Sequence, residues 1–372
     1  MDLHRGVLRV SLITALGVAT GTAASPALAW KGDDCNVRYR VTDLGTLHGS
    51  YDAVGFGLNN KAEVVGDLRT KKAKNIAFIW TRQSGMEDLG TLGGTEGYLL
   101  ATASAINNRE QAVGQSEVPE GVGHAFIWTR AGGMRDLDPD DNNYESAALG
   151  INDRGIILGY KTNLLTSAVS YFLWSAQGGM RDISGTLGGE SAGASAINNA
   201  GQVVGRSQTA TGEYHAAIWS PGGRISDLGT LSGGNSSSAS DINSRGDIVG
   251  SSNVAVDGSP HAALWTKNGA KQDLGTLGGT YSFAGSINDR EEVLGGSEAS
   301  DQGTYTFLWS RQCGMRKLSD LIDPKAKFSY YSGNKINDHG QITGWASESG
   351  QGGSHAVLLS PVHETANAAD DE

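Results

Sequence analysis

An aliphatic residue followed by asparagine recurs seven times at near-constant spacing, and this recurrence limits the chain to a few repeat architectures. The copies are Leu58-Asn59, Ile106-Asn107, Ile151-Asn152, Ile197-Asn198, Ile242-Asn243, Ile287-Asn288 and Ile336-Asn337, at intervals of 48, 45, 46, 45, 45 and 49 residues. After each asparagine a short apolar run closes on a glycine: Gly66, Gly114, Gly159, Gly205, Gly250, Gly295 and Gly344. A unit of about 46 residues cannot bury an apolar face alone, so successive copies must stack on one another.

Each copy reads as four short strands. Strand A is a small-residue run ending at Ile-Asn, and strand B is the Val-Val-Gly segment. Strand C is the aromatic run typified by His124-Ala125-Phe126-Ile127-Trp128, and strand D the run typified by Met86-Glu87-Asp88-Leu89. A glycine-rich loop such as Gly275-Thr276-Leu277-Gly278-Gly279 leads into the next copy. Four short strands bounded by Gly, Asn and Asp turns make a propeller blade. Ala103, Ala148, Ala194, Ala239 and Ala284 share one position in strand A, as an innermost strand crowded near an axis requires.

The ends of the chain point to a closed ring. The last copy runs through His355 to Ser360 without a strand D, and Arg38–Leu44 supplies an orphan one. An N-terminal strand completing the final blade would hide two sheet edges that otherwise invite aggregation. An open solenoid has no need of this permutation. The fold predicted is an all-β, seven-bladed β-propeller of four-stranded blades spanning residues 30–362.

The His-Ala-Phe/Ala-Ile/Leu-Trp strand, the Asp-Leu-Gly-Thr-Leu-Gly-Gly loop and the Ile-Asn-x-x-Gly turn together resemble the HAF-repeat family of extracellular repeat proteins. The resemblance covers nearly all of the chain beyond residue 29. It implies a secreted or surface repeat protein and assigns no reaction. Copies depart from the pattern at Ser170-Tyr171-Phe172, at Thr306-Phe307 and at Leu359, which replaces Trp.

Residues required by every blade read first as structure. Trp80, Trp128, Trp174, Trp219, Trp265 and Trp309 fill space between blades, each worth a few kcal/mol (roughly) on burial. His124, His215, His261 and His355 open strand C too far apart to share one metal, which leaves them a hydrogen-bonding role. The repeated asparagines precede tight turns and are expected to bond their own backbone.

Function belongs where copies differ. The D–A and B–C connections share one face of the ring, and the A–B and C–D turns the other. The B–C connections diverge most: 67–75 is basic, 116–123 acidic and 161–170 largely apolar. Variable loops on a rigid frame are where recognition is built. Asp241 and Lys335 break the small-residue rule just before the repeated Ile, which makes them candidate ligand contacts in an axial channel; solvated charges are the alternative. In the connection after blade 2, Asp138, Asp140 and Asn142 alternate as oxygen ligands would for Ca²⁺. The loop lacks the Gly and Glu of an EF-hand, so a solvated acidic turn competes, and no other cofactor is called for.

Cys313 falls in the C–D turn of blade 6, and Cys35 precedes the closing strand near the equivalent turn of blade 7. A disulfide would pin the closure; two free thiols are the alternative if the turns lie too far apart.

The first 29 residues read as a signal peptide. His4, Arg5 and Arg9 precede an apolar run from Val10 to Ala24, and Ser25-Pro26-Ala27-Leu28-Ala29 suits cleavage after Ala29. The run is too short for a good spanning helix. Export to the periplasm or beyond the cell follows, with no transmembrane segment, and residues 363–372 are expected to be a disordered acidic tail. A net charge of −11 argues against nucleic-acid partners. No Gly-x-Ser-x-Gly, phosphate-loop, Cys-x-x-Cys or His-Glu-x-x-His motif is present. The function expected is therefore monomeric binding or scaffolding of a protein or polysaccharide, with a polysaccharide hydrolase or lyase on the same fold as the alternative.

Overall fold

The computed structural model describes residues 35–362 apart from 48, 72–73, 95–100, 140–142, 255–257 and 349–352. The signal peptide and the acidic tail lie outside the described residues.

Seven sheets of four antiparallel strands form a seven-bladed β-propeller. Blade 1 shows the pattern: strand A is Asp52–Leu58, B is Val64–Arg69, C is Asn75–Thr81 and D is Gly85–Asp88. In blade 7, strands A to C are Tyr330–Ile336, Ile342–Ser347 and His355–Val362, and the outermost strand is Arg38–Asp43 from the start of the described chain. Val41 opposes Leu359 and Asp43 opposes Val357 in that closing pair.

The hydrophobic core lies between blades as well as within them. One cluster joins Val65, Ala77 and Ile79 of blade 1 to Ala103, Phe126 and Trp128 of blade 2. Another joins Val249 and Leu264 of blade 5 to Phe307 and Trp309 of blade 6. The six repeated tryptophans are all buried, as filling between blades demands. The last cluster carries Leu44, Ala356 and Leu358 of blade 7 against Leu58, Phe78 and Trp80 of blade 1, which closes the ring.

Strand A bulges at the same place in every blade, for example between Ala103 and Ala105 and between Ala239 and Asp241. The bulge explains the glycine that ends Val-Val-Gly. A Cβ on Gly114 would collide with the carbonyl oxygen of Thr102, and one on Gly250 with that of Ser238.

Polar motif residues tie the ring together. Each repeated asparagine accepts, through Oδ1, the backbone amides two and four residues on, as Asn198 does from Ala200 and Gln202. Its Nδ2 also donates to the carbonyl of the equivalent asparagine in the next blade. These bonds run from Asn59 to Asn107, Asn152, Asn198, Asn243, Asn288 and Asn337 and back to Asn59, at 2.9–3.1 Å. The expectation of a bond to their own backbone accounts for half of this role.

The histidines and the Asp-Leu-Gly loop form a second device. The Nδ1 atoms of His124, His215, His261 and His355 meet the carboxylates of Asp136, Asp227, Asp273 and Asp43. In each case the other face of the aspartate caps the turn that follows, as Asp273 Oδ1 accepts from the Gly275 amide at 2.8 Å. Buried serines then link strand C of one blade to strand A of the next: Ser146 Oγ accepts from Ala125 N, and Ser282 Oγ from Ala262 N.

Candidate functional site

The strand-A bulge re-aims the residue just before the repeated Ile, and there the structure brings Asp241 and Lys335 together. Lys335 Nζ lies 2.7 Å from Asp241 Oδ2, joining blade 7 to blade 5. The same oxygen accepts from Ser286 Oγ at 3.1 Å and from Ile287 N at 3.0 Å, both in blade 6. Asp241 is buried and Lys335 is only partly so. The pair sits in an axial cavity of about 260 Å³ at the A–B end of the channel, rimmed by six of the seven repeated asparagines. Three blades are thus bound through one carboxylate, and the remaining N–H groups of Lys335 are what the pair offers to a small anionic or carbonyl group.

The next residue of each turn lines the same cavity. Asp153 and Asp338 accept backbone amides from neighbouring blades, Asp153 from Asn108 and Asp338 from Asp289. Burial pushes the Asp153 carboxyl up, but bonds from Asn108 and Asn199 and the charge of Arg109 outweigh it and hold the group below its usual range. The carboxylate stays ionised as a fixed acceptor.

The opposite face carries the divergent connections. In blade 3 the B–C connection exposes Leu164, Leu165 and Val169, with Leu165 89% accessible. The D–A connection between blades 6 and 7 folds as a 3₁₀ turn, Leu318–Leu321, followed by a turn in which the Ala326 amide donates to the Asp323 carbonyl before strand A begins at Tyr330. It packs beside the closing strand, with Tyr39 and Ile322 bridged in parallel, and leaves a groove of about 1150 Å³. Arg40, Lys325, Lys327, Phe328 and Tyr331 are among its lining residues. Desolvation pushes the Tyr331 phenol above its ordinary value. The sequence signal for this groove was the 49-residue interval and the loss of the Gly-Thr-Leu-Gly-Gly loop after Leu318.

Cys35 and Cys313 are joined by a disulfide with a Cα separation of 5.5 Å. Arg316 donates to the Cys35 carbonyl beside it, and Arg38 Nη1 to the Asp320 carbonyl at 2.6 Å. Both bonds fasten the closing strand to blade 6. Of the calcium candidates, Asp138 donates its amide to Asp136 Oδ1 at 2.8 Å, and Asp140 and Asn142 lie outside the described residues.

The architecture places the chain among the seven-bladed β-propellers. No protein-family model and no curated protein sequence matches it. Among solved structures it is similar to an oligogalacturonate lyase in complex with manganese, at 9% identity and a TM-score of 0.57 over 88% of this chain and 94% of that one. It is also similar to a streptogramin B lyase (9% identity, TM-score 0.48, 87% and 98% covered) and to TolB from Acinetobacter baumannii (13%, 0.43, 81% and 80%). At 9% identity the likeness to the oligogalacturonate lyase shows the fold alone. Among the described residues no helix is long and apolar enough to cross a membrane.

Proposed function

We propose that this chain is an exported, non-catalytic binding or scaffold propeller that engages a protein or polysaccharide partner through its B–C and D–A connections. The observation that carries this reading is a division of labour. The repeated Asn, His, Asp and Ser residues are spent on bonds inside the ring, while the B–C and D–A face differs from blade to blade. Exposed Leu164 and Leu165 on that face suit a protein surface, since large exposed apolar side chains at a loop tip favour a partner that covers them. The wide groove beside the closing strand suits a polar polymer. The disulfide fits an oxidising compartment, in keeping with the signal-like N-terminus and with the resemblance to HAF-repeat proteins.

The test is binding of the mature chain, immobilised by its C-terminus, to envelope polysaccharides and to envelope protein fractions. Binding should fall in Leu164→Ser/Leu165→Ser for a protein partner, or in Lys325→Gln/Lys327→Gln for a polysaccharide, with unfolding temperature unchanged. Turnover of a bound polymer, or binding indifferent to both pairs, would overturn the proposal.

A further inference from the structure

On the other face, a cleft of about 730 Å³ opens between blades 2 and 3, and three guanidinium groups line it: Arg109, Arg135 and Arg154. Among the described residues none of the three forms an ion pair. Arg109 donates to Gln111 Oε1 at 2.9 Å, and Arg135 Cζ lies over the Trp174 ring, 5.1 Å from its centroid. The carboxylate that feels Arg109, Asp153, is already taken by Asn108 and Asn199.

The other blade interfaces show what this position normally holds. Arg109 and Arg154 sit two residues after the repeated asparagine. At the same position Lys61 pairs with Glu110 of the next blade, Arg245 with Glu291, and Arg290 with Glu292 of its own turn. Between blades 2 and 3 those acids are absent: Gly155 stands where Glu110 and Glu291 do, and Gln111 where Glu292 does. Arg135 occupies the strand-D position that in blade 1 is Glu87, itself paired with Arg130. Substitution at all three positions in one direction leaves a concentrated positive cleft on a chain of net charge −11.

We propose that this cleft binds an acidic oligosaccharide, one with carboxylates on its sugar rings. Guanidinium forks match carboxylates bidentately, and the stacking of Arg135 on Trp174 holds one fork in place before the ligand arrives. The volume is that of a small-molecule site rather than of a single ion. Gln111, Gln177, Thr129 and Ser175 supply amides and hydroxyls for sugar hydroxyls, beside the apolar side chains of Ile127, Ile156 and Trp174.

Titration calorimetry of the mature chain tests this with alginate-derived oligouronates, neutral dextran oligosaccharides and poly-L-glutamate as probes. The oligouronate should bind and weaken as salt rises, and dextran should not bind. Arg109→Gln and Arg154→Gln should each weaken Kd roughly tenfold, the scale of one lost charge-assisted bond pair. Arg245→Gln, at a paired interface, should leave binding unchanged, and unfolding temperatures will show that all variants fold. No binding by the natural chain, equal binding of dextran, tighter binding of poly-L-glutamate, or indifference to the Arg109→Gln/Arg154→Gln double variant would each overturn the proposal.

Discussion

The side-chain amide of Asn337 in blade 7 donates to the backbone carbonyl of Asn59 in blade 1 at 2.9 Å, across 278 residues of chain. This is the bond that makes a circle of what would otherwise be a row of six. Both asparagines are buried, so loss of the donor strands a carbonyl away from water. Asn337 also caps its own turn through the amides of His339 and Gln341. Asn337→Ala should therefore cost about 2–3 kcal/mol, more than a solvated turn residue would. Urea denaturation monitored by tryptophan fluorescence measures it; a cost below about 0.5 kcal/mol would remove the ring from the account of stability.

The disulfide fastens the strand from the start of the described chain that completes blade 7. Breaking it with Cys35→Ser/Cys313→Ser should lower stability by about 2–4 kcal/mol. It should also free the Arg38–Asp43 strand and expose the edge of His355–Val362 to other chains. Limited proteolysis near residue 38 and light scattering on warming read the two effects separately. If both match the natural chain, Arg316 and Arg38 suffice to hold the closure.

Much of this fold was legible because a repeat reports each structural need seven times. The Ile-Asn period set the blade count, and a final copy lacking strand D exposed the permuted closure. The turn-capping half of the asparagine role was legible too, since it is local. The cross-blade half was not: it spans 45 to 49 residues and depends on how steeply blades are packed, which no local pattern encodes. Asp241 and Lys335 stood out as exceptions to a small-residue rule, but their pairing did not. They lie 94 residues apart, and only a closed ring with a bulged inner strand brings them within 2.7 Å.

Asp67 gives the ring a defined response to pH. It sits on strand B of blade 1 and accepts from Thr102 Oγ1 of blade 2 at 2.9 Å and from Asn75 Nδ2 at 3.3 Å. Desolvation nonetheless dominates and holds its carboxyl above the usual range, against those two bonds. The folded chain then takes up this proton more readily than the unfolded one. Its contribution favours folding below the ordinary carboxylate pKa and is lost as pH rises through the raised value. Asp67→Asn keeps a neutral oxygen for both donors. The variant should match the natural chain in acid and become the more stable of the two toward neutral pH. Denaturation midpoints taken across pH 3–8 (roughly) test the sign, and a gap that is flat or widens in acid would refute it.

The axial pair invites a double-mutant cycle, because its two members are unequally buried. Lys335→Met leaves Asp241 buried, bonded to Ser286 and Ile287 but with no opposite charge. Since Lys335 is itself about one third exposed, the loss is discounted from that of a fully buried pair to about 1–3 kcal/mol. Asp241→Asn keeps an acceptor oxygen and leaves a lysine that can turn to water, so it should cost less. The double variant should then lie nearer the natural chain than the sum of the singles, with a coupling of about 1 kcal/mol. A strictly additive result would mean that Asp241 needs only its two blade 6 donors. Lys335 would then be free to meet a ligand in the channel, and the axial cavity would become the first place to seek one.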